Sequence, residues 1–201
     1  IGVRADGITG SNKTGFNFTG HGIEVGGLNN IIGGVNPSSR NIISGVGGSH
    51  GIYVNGGNGT AIINNYIGTD ASGTIVRNNN KGIRAVANVI VEGNIISGNI
   101  GQGIELTGGL TGSSIRNNRI GVNSLGVPIG NSGNGILVSN QTDVIIESNE
   151  IANNFLGVNL FNNAQRISIR KNKIYENDNN GGVFKGIALN ADFAPLANDI
   201  G

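Results

Sequence analysis

The chain has 201 residues, 37 of them Gly, 34 Asn and 30 Ile, with 12% charged and 4% aromatic residues and a formal net charge of +1. That composition excludes a helical protein, because Gly, Asn and Ile are all poor or middling helix formers. It also excludes a collagen helix, since the glycines keep no three-residue period, and a nucleic-acid binder, since the cations are few and scattered.

The absence of Cys rules out disulfides, zinc thiolate sites and thiol nucleophiles. No apolar run approaches the ~20 residues of a spanning helix, so membrane insertion is not expected. Ile favours a pleated strand, while Gly and Asn favour turns and left-handed backbone. The composition therefore reads as many short strands joined by tight bends.

In chain order, residues 1–21, with Phe16 and Phe18, precede any repeat and are expected to cap one end. From there a Gly followed by a β-branched residue recurs at Gly22, Gly51, Gly82, Gly103, Gly135, Gly157 and Gly186. The spacings are 29, 31, 21, 32, 22 and 29, so a unit of 21–22 residues carries insertions in its longer copies. The first strand of each unit follows the Gly. Its alternate positions are apolar, as in Ile52 and Val54, Ile104 and Leu106, or Ile136 and Val138, which marks one buried face. A second strand carries Ile62, Val91, Ile115, Ile146 and Ile169, each three residues before an Asn. That Asn column is Asn41, Asn65, Asn94, Asn118, Asn149 and Asn172, and Ile follows two residues later every time, giving a third strand.

Insertions enlarge the first unit at Val35–Arg40 and leave one common corner at 67–74 and 120–127. Residues 191–201, with Pro195, form a tail beyond the repeats. The tail predicts that further chain follows, and the whole is read as a single domain over 1–201 with repeats at 22–190.

One geometry fits these columns. Each unit is one turn of three strands, and turns stack in parallel ~4.8 Å apart, so that like residues lie in files and the Asn column forms an amide ladder. A turn buries about six apolar side chains at ~1.5–3 kcal/mol each, while ordering its residues costs about 1.5 kcal/mol each. A lone turn cannot stand, and stability must be shared along the stack. Open ends expose strand edges, which allows end-to-end or lateral self-association.

The Gly-Ile-x-Val and Asn-x-Ile patterns, with Arg40-Asn41-Ile42-Ile43-Ser44-Gly45 and Ile67-Gly68-Thr69-Asp70-Ala71-Ser72-Gly73-Thr74, resemble bacterial parallel β-helix repeat proteins of the pectate-lyase-like architecture. The resemblance covers roughly residues 22–190. It implies an all-β, right-handed parallel β-helix of about seven turns, in an extracellular or cell-surface setting. The clustered aspartates and Arg base usual in that family are not found, nor are the paired-Asp, Gly-His-Gly and Arg-Ile-Lys motifs of its polygalacturonase-like members.

The candidate catalytic strip lies at the first strands. His21 and His50 precede Gly22 and Gly51, Lys81 holds that place in the next turn, and Glu24, Tyr53, Arg84 and Glu105 lie two residues beyond their glycines. Stacking places these on neighbouring rungs. A His, Lys or Arg there would abstract the proton beside a uronate carboxylate, with Tyr or Glu as acid. The competing reading is a solvated strip of mixed charge.

Glu92, Arg116, Glu147 and Arg170, and beside them Arg119, Glu150 and Lys173, read as cross-strand charge pairs, with a polymer track as the alternative. Phe155 and Phe184 share one position and read as an internal aromatic stack, with sugar stacking as the alternative. Asp70 with Asn78, Asn79 and Asn80 offers oxygens to calcium, but Asn-rich turns account for them, and no cofactor is expected. The expected function is a secreted or cell-surface scaffold, structural or binding a glycan or envelope partner. The alternative is a polysaccharide lyase, epimerase or hydrolase.

Overall fold

The computed structural model describes residues 1, 20–109, 111–178 and 186–189. Within them the three strands of every unit fall into three parallel sheets. The first sheet stacks Ile23–Val25, Ile52–Val54, Ile83–Ala85, Ile104–Leu106, Ile136–Ser139, Val158–Phe161 and Ile187–Leu189. The second stacks Ile31–Gly33, Thr60–Ile63, Val89–Glu92, Ser114–Arg116, Ile145–Glu147 and Ser168–Arg170. The third stacks Ile42–Ile43, Tyr66–Ile67, Ile95–Ile96, Arg119–Ile120, Glu150–Ala152 and Lys173–Tyr175. Each successive triplet of strands is one rung, numbered 1 to 6 from the N-terminal side, and Ile187–Leu189 alone represents rung 7 among the described residues. The chain is a parallel β-helix with three strands per turn.

Register follows the sequence columns. Ile83 pairs with Ile104, and Ile104 with Ile136, so the file of Ile runs through adjacent rungs. Ile52, Ile83, Ile104 and Ile136 are wholly buried, as are Ile62, Val91, Ile115 and Ile146 from the second sheet and Ile67, Ile96 and Ile120 from the third. These inward files make one continuous core.

The corners explain the Asn and Gly content. Between the second and third sheets, rungs 2 to 6 each place a residue in the left-handed region: Asn64 (φ 56°), Gly93 (68°), Asn117 (55°), Ser148 (58°) and Lys171 (56°). Gly and Asn tolerate that backbone best. The repeat-starting glycines serve a different need, close approach between rungs. A Cβ on Gly82 would stand 2.5 Å from the Gly103 carbonyl oxygen and 2.7 Å from Ile96 Cγ2.

Two amide ladders run along the interior. In the expected one, each Asn Nδ2 donates to the Oδ1 of the next rung's Asn: Asn41 to Asn65 at 2.9 Å, Asn94 to Asn118 at 3.0 Å, Asn149 to Asn172 at 2.9 Å. A second ladder, not anticipated from the sequence, joins Asn79, Asn99, Asn131, Asn154 and Asn177 at 2.8 to 3.0 Å. Both ladders also bond backbone groups. Asn118 Nδ2 reaches the Val91 carbonyl at 2.9 Å, and Asn79 Oδ1 accepts the Val46 amide at 3.2 Å. Backbone polar groups at these corners are thus satisfied without water.

The insertion loops after Ile67 and Ile120 do more than share a corner. Rung 3 between them has no insertion, and the two loops meet across it: the Ser124 amide donates to the Gly73 carbonyl at 3.0 Å, and Ser124 Oγ to the Ser72 carbonyl at 3.0 Å.

Three expectations need comment. Phe155 is 39% exposed, so it belongs to no internal stack. The corner residue before Gly157 points to solvent because the second ladder, through Asn154, already fills the interior there. Phe184, residues 2–19 of the expected cap over 1–21, and the tail over 191–201 lie outside the described residues.

Candidate functional site

Outward positions of the first sheet come into file because strand alternation turns every second side chain to solvent. Register sets Glu24 beside Tyr53, Tyr53 beside Arg84, and Arg84 beside Glu105. Three residues earlier on each rung stand His21, His50 and Lys81. The structure therefore brings together all five sequence candidates, His21, His50, Lys81, Tyr53 and Arg84, on one lateral face of rungs 1 to 3.

Their contacts divide the strip. At one end are rings: His21 and His50 stack with centroids 4.8 Å apart and planes at 19°, and Tyr53 tilts against His21 at 4.6 Å. Ser49 Oγ lies 2.8 Å from His21 Nδ1, which fixes that ring. His50 Nδ1 is buried with no hydrogen-bond partner among the described residues. Burial, helped by electrostatic interaction with His21 and by the positive charges of Lys81 and Arg84, pushes the His50 pKa down to about 4. The imidazole is therefore neutral at neutral pH.

At the other end are charges. Glu105 is buried, accepts from Lys81 Nζ and lies 3.5 Å from Arg84 Nε. The Arg84 guanidinium also sits 5.7 Å from the centre of the Tyr53 ring. Glu105, whose place in the strip offered it from sequence as an acid, instead neutralises both cations of the strip.

The other candidates resolve as structure. Glu147 holds Arg170 at 3.0 Å, Lys171 at 3.3 Å and Arg116 at 3.7 Å, and Arg119 pairs with Glu150 at 3.5 Å. The Arg170 hydrogen bond holds the Glu147 carboxyl down near 2. Asp70 Oδ1 is engaged inside its own loop, accepting from Ser72 Oγ at 2.6 Å and from the Thr74 and Ile75 amides at 3.2 Å. Asn79 is consumed by the second ladder. Two of the oxygens suggested by sequence for calcium, Asp70 Oδ1 and Asn79 Oδ1, are thus already bonded within the protein.

With the fold and strip in place, comparison with known proteins defines the class. The family model described as "Periplasmic copper-binding protein (NosD)" matches residues 2–187. The class is a periplasmic parallel β-helix family, and this chain belongs to it. Neither the curated proteins nor the solved structures give a match. The setting is thereby extracytoplasmic, and among the described residues no helix is long and apolar enough to cross a membrane.

This match corrects the expectation of a module without a cofactor, since the family is described as copper-binding. Copper accepts imidazole nitrogen and sulfur donors. The chain has neither Cys nor Met, and among the described residues no three His, Asp or Glu side chains gather as ligands. Its fitting donors are the paired imidazoles. His50 is neutral, with an unpartnered buried nitrogen, and His21 is held by a hydroxyl on its other ring nitrogen, as ligating imidazoles commonly are. His21 and His50 are the residues that would hold the ion, and copper there would supply a redox-active Lewis-acid centre on the outer surface.

Proposed function

We propose that this chain is a rigid scaffold outside the cytoplasm, secreted or attached at the envelope, whose lateral faces bind a partner or an envelope polysaccharide. The observation that carries this reading is continuity. Three parallel sheets and two Asn ladders run through the rungs, so outward side chains stand at fixed intervals and lose little freedom on binding. The first-sheet strip suits holding better than proton abstraction. A general base works best with a pKa near the operating pH, whereas His50 is held near 4 and Lys81 is tied to Glu105.

The test is a screen against uronate-containing and neutral polysaccharides, reading unsaturated ends, reducing sugar and binding together. Binding without turnover is expected. Turnover that disappears in His50→Ala and in Tyr53→Ala would overturn the scaffold reading in favour of a lyase, epimerase or hydrolase.

A second reading, that the scaffold carries copper, is favoured by the orphaned His50 nitrogen stacked on His21. Copper titration should give one ion per chain with imidazole nitrogen in its spectroscopic signature, lost in both His21→Ala and His50→Ala. Binding that survives both substitutions would contradict it.

A further inference from the structure

Away from that strip, a groove of about 230 Å³ opens at the corner between the second and third sheets. Its origin is a gap in two files. The corner position is Asn64 on rung 2 and Asn117 on rung 4, but Gly93 on rung 3. The adjoining outward position is Tyr66 and Arg119 on those rungs, but Ile95 on rung 3. Rung 3 also lacks the insertion loop, and Ser124, from the loops that meet over it, forms the far wall.

The groove is lined for an anion. Arg40 enters from rung 1, where the short 3-10 turn Pro37–Ser39 delivers it to the corner. Its guanidinium lies 4.1 Å from the Tyr66 ring centre. Its Nε and Nη2 donate to the Asn64 carbonyl at 3.2 Å and to Asn64 Oδ1 at 2.8 Å. Both partners are neutral. Arg84, Arg116, Arg119, Arg166 and Arg170 each have a carboxylate within 4.0 Å, whereas Arg40 has none among the described residues. Its orientation is fixed, its charge is uncompensated, and Nη1 has no bond among those residues. Arg119 brings a second guanidinium, balanced by Glu150 at 3.5 Å, and Asn117 Nδ2 is engaged by Glu92 at 3.2 Å.

We propose that this corner groove binds a compact oxyanion, a phosphate, sulfate or carboxylate group borne by a larger polar ligand, with Arg40 as its principal contact. A planar guanidinium held by stacking and by neutral acceptors is pre-organised for paired hydrogen bonds to such oxygens. The volume suits one small group or ring rather than a drug-sized ligand.

The test is titration of the isotope-labelled chain with inorganic phosphate, sulfate and acetate, followed by the Arg40 Nε–H signal and the Gly93, Asn117 and Ser124 amides. At least one anion should give saturable shifts at these groups. Arg40→Gln should weaken binding tenfold or more. Gly93→Asn should do the same by filling the depression, and the fold should accept it, since Asn stands in the same left-handed region on both neighbouring rungs, at φ 56° and 55° against 68° for Gly93. Lys171→Gln, two rungs beyond Asn117 in the corner file, should change nothing. Tighter binding of glycerol phosphate than of glucuronate would assign a phosphate ester, and the reverse order a carboxylate. Either order supports the site. Absence of saturable shifts with all probes, or affinity unchanged in both Arg40→Gln and Gly93→Asn, would overturn it.

Discussion

A single ladder residue shows how tightly polar groups are accounted for. Asn118 donates through Nδ2 to the Val91 and Arg116 carbonyls and to Asn149 Oδ1, and its own Oδ1 accepts the Asn94 amide at 2.9 Å. It is 1% exposed. Asn118→Ala strands the Asn94 amide and the Val91 carbonyl in a place water does not reach, at about 1–3 kcal/mol. Denaturant unfolding checks this, and a loss below ~0.3 kcal/mol would mean the ladder is wet. His50 provides a second test. Its folded pKa of about 4 lies below the ordinary 6.5. The unfolded chain therefore binds the extra proton first, and stability falls as pH drops through the window from about 6.5 to 4. An NMR titration should find the His50 ring neutral at pH 6. A midpoint near 6.5 would contradict the burial assigned to it.

At the scale of the element, the repeat-starting Gly is set by the rung above it. Gly22 leaves only 2.6 Å between an added Cβ and the Gly51 carbonyl, whereas a Cβ on Gly20, two residues earlier, meets nothing within 4 Å among the described residues. Gly22→Ala should therefore destabilise the chain by about 1–3 kcal/mol, through overpacking against a backbone atom that cannot yield. Gly20→Ala should be near neutral, and thermal unfolding of the pair separates the two. This contrast also shows what sequence can and cannot disclose. The first ladder was legible because its Asn keeps a constant offset from the following Ile on every rung. The second was hidden because its Asn follows the first by five residues on rungs 3, 5 and 6 but by 14 and 13 on rungs 2 and 4, where the insertions intervene. The five strip residues were legible from their shared offset to Gly. Glu105's pairing with Lys81 and Arg84 was not, because a spacing gives the rung but not the side-chain direction. The Arg40 groove was hidden for a similar reason, since Arg40, Tyr66 and Arg119 come from three different rungs.

For the whole molecule, stability and function both rest on the stack. No rung carries a core of its own, so the files of Ile and the two ladders hold neighbours together and keep outward groups in fixed order. Any lateral site, whether the imidazole pair or the corner groove, inherits its geometry from that register. Cysteine pairs test it directly, because the native chain has no Cys. Leu137 and Asn159 are outward partners on adjacent rungs, and Ala188 is the next in the same file. Disulfides need Cα atoms within about 7 Å, and adjacent parallel strands lie ~4.8 Å apart. Under mild oxidation the Leu137→Cys/Asn159→Cys pair should cross-link within one chain, whereas Leu137→Cys/Ala188→Cys, two rungs apart, should remain reduced. Equal cross-linking of both pairs, or of the distant pair alone, would contradict the stacked register.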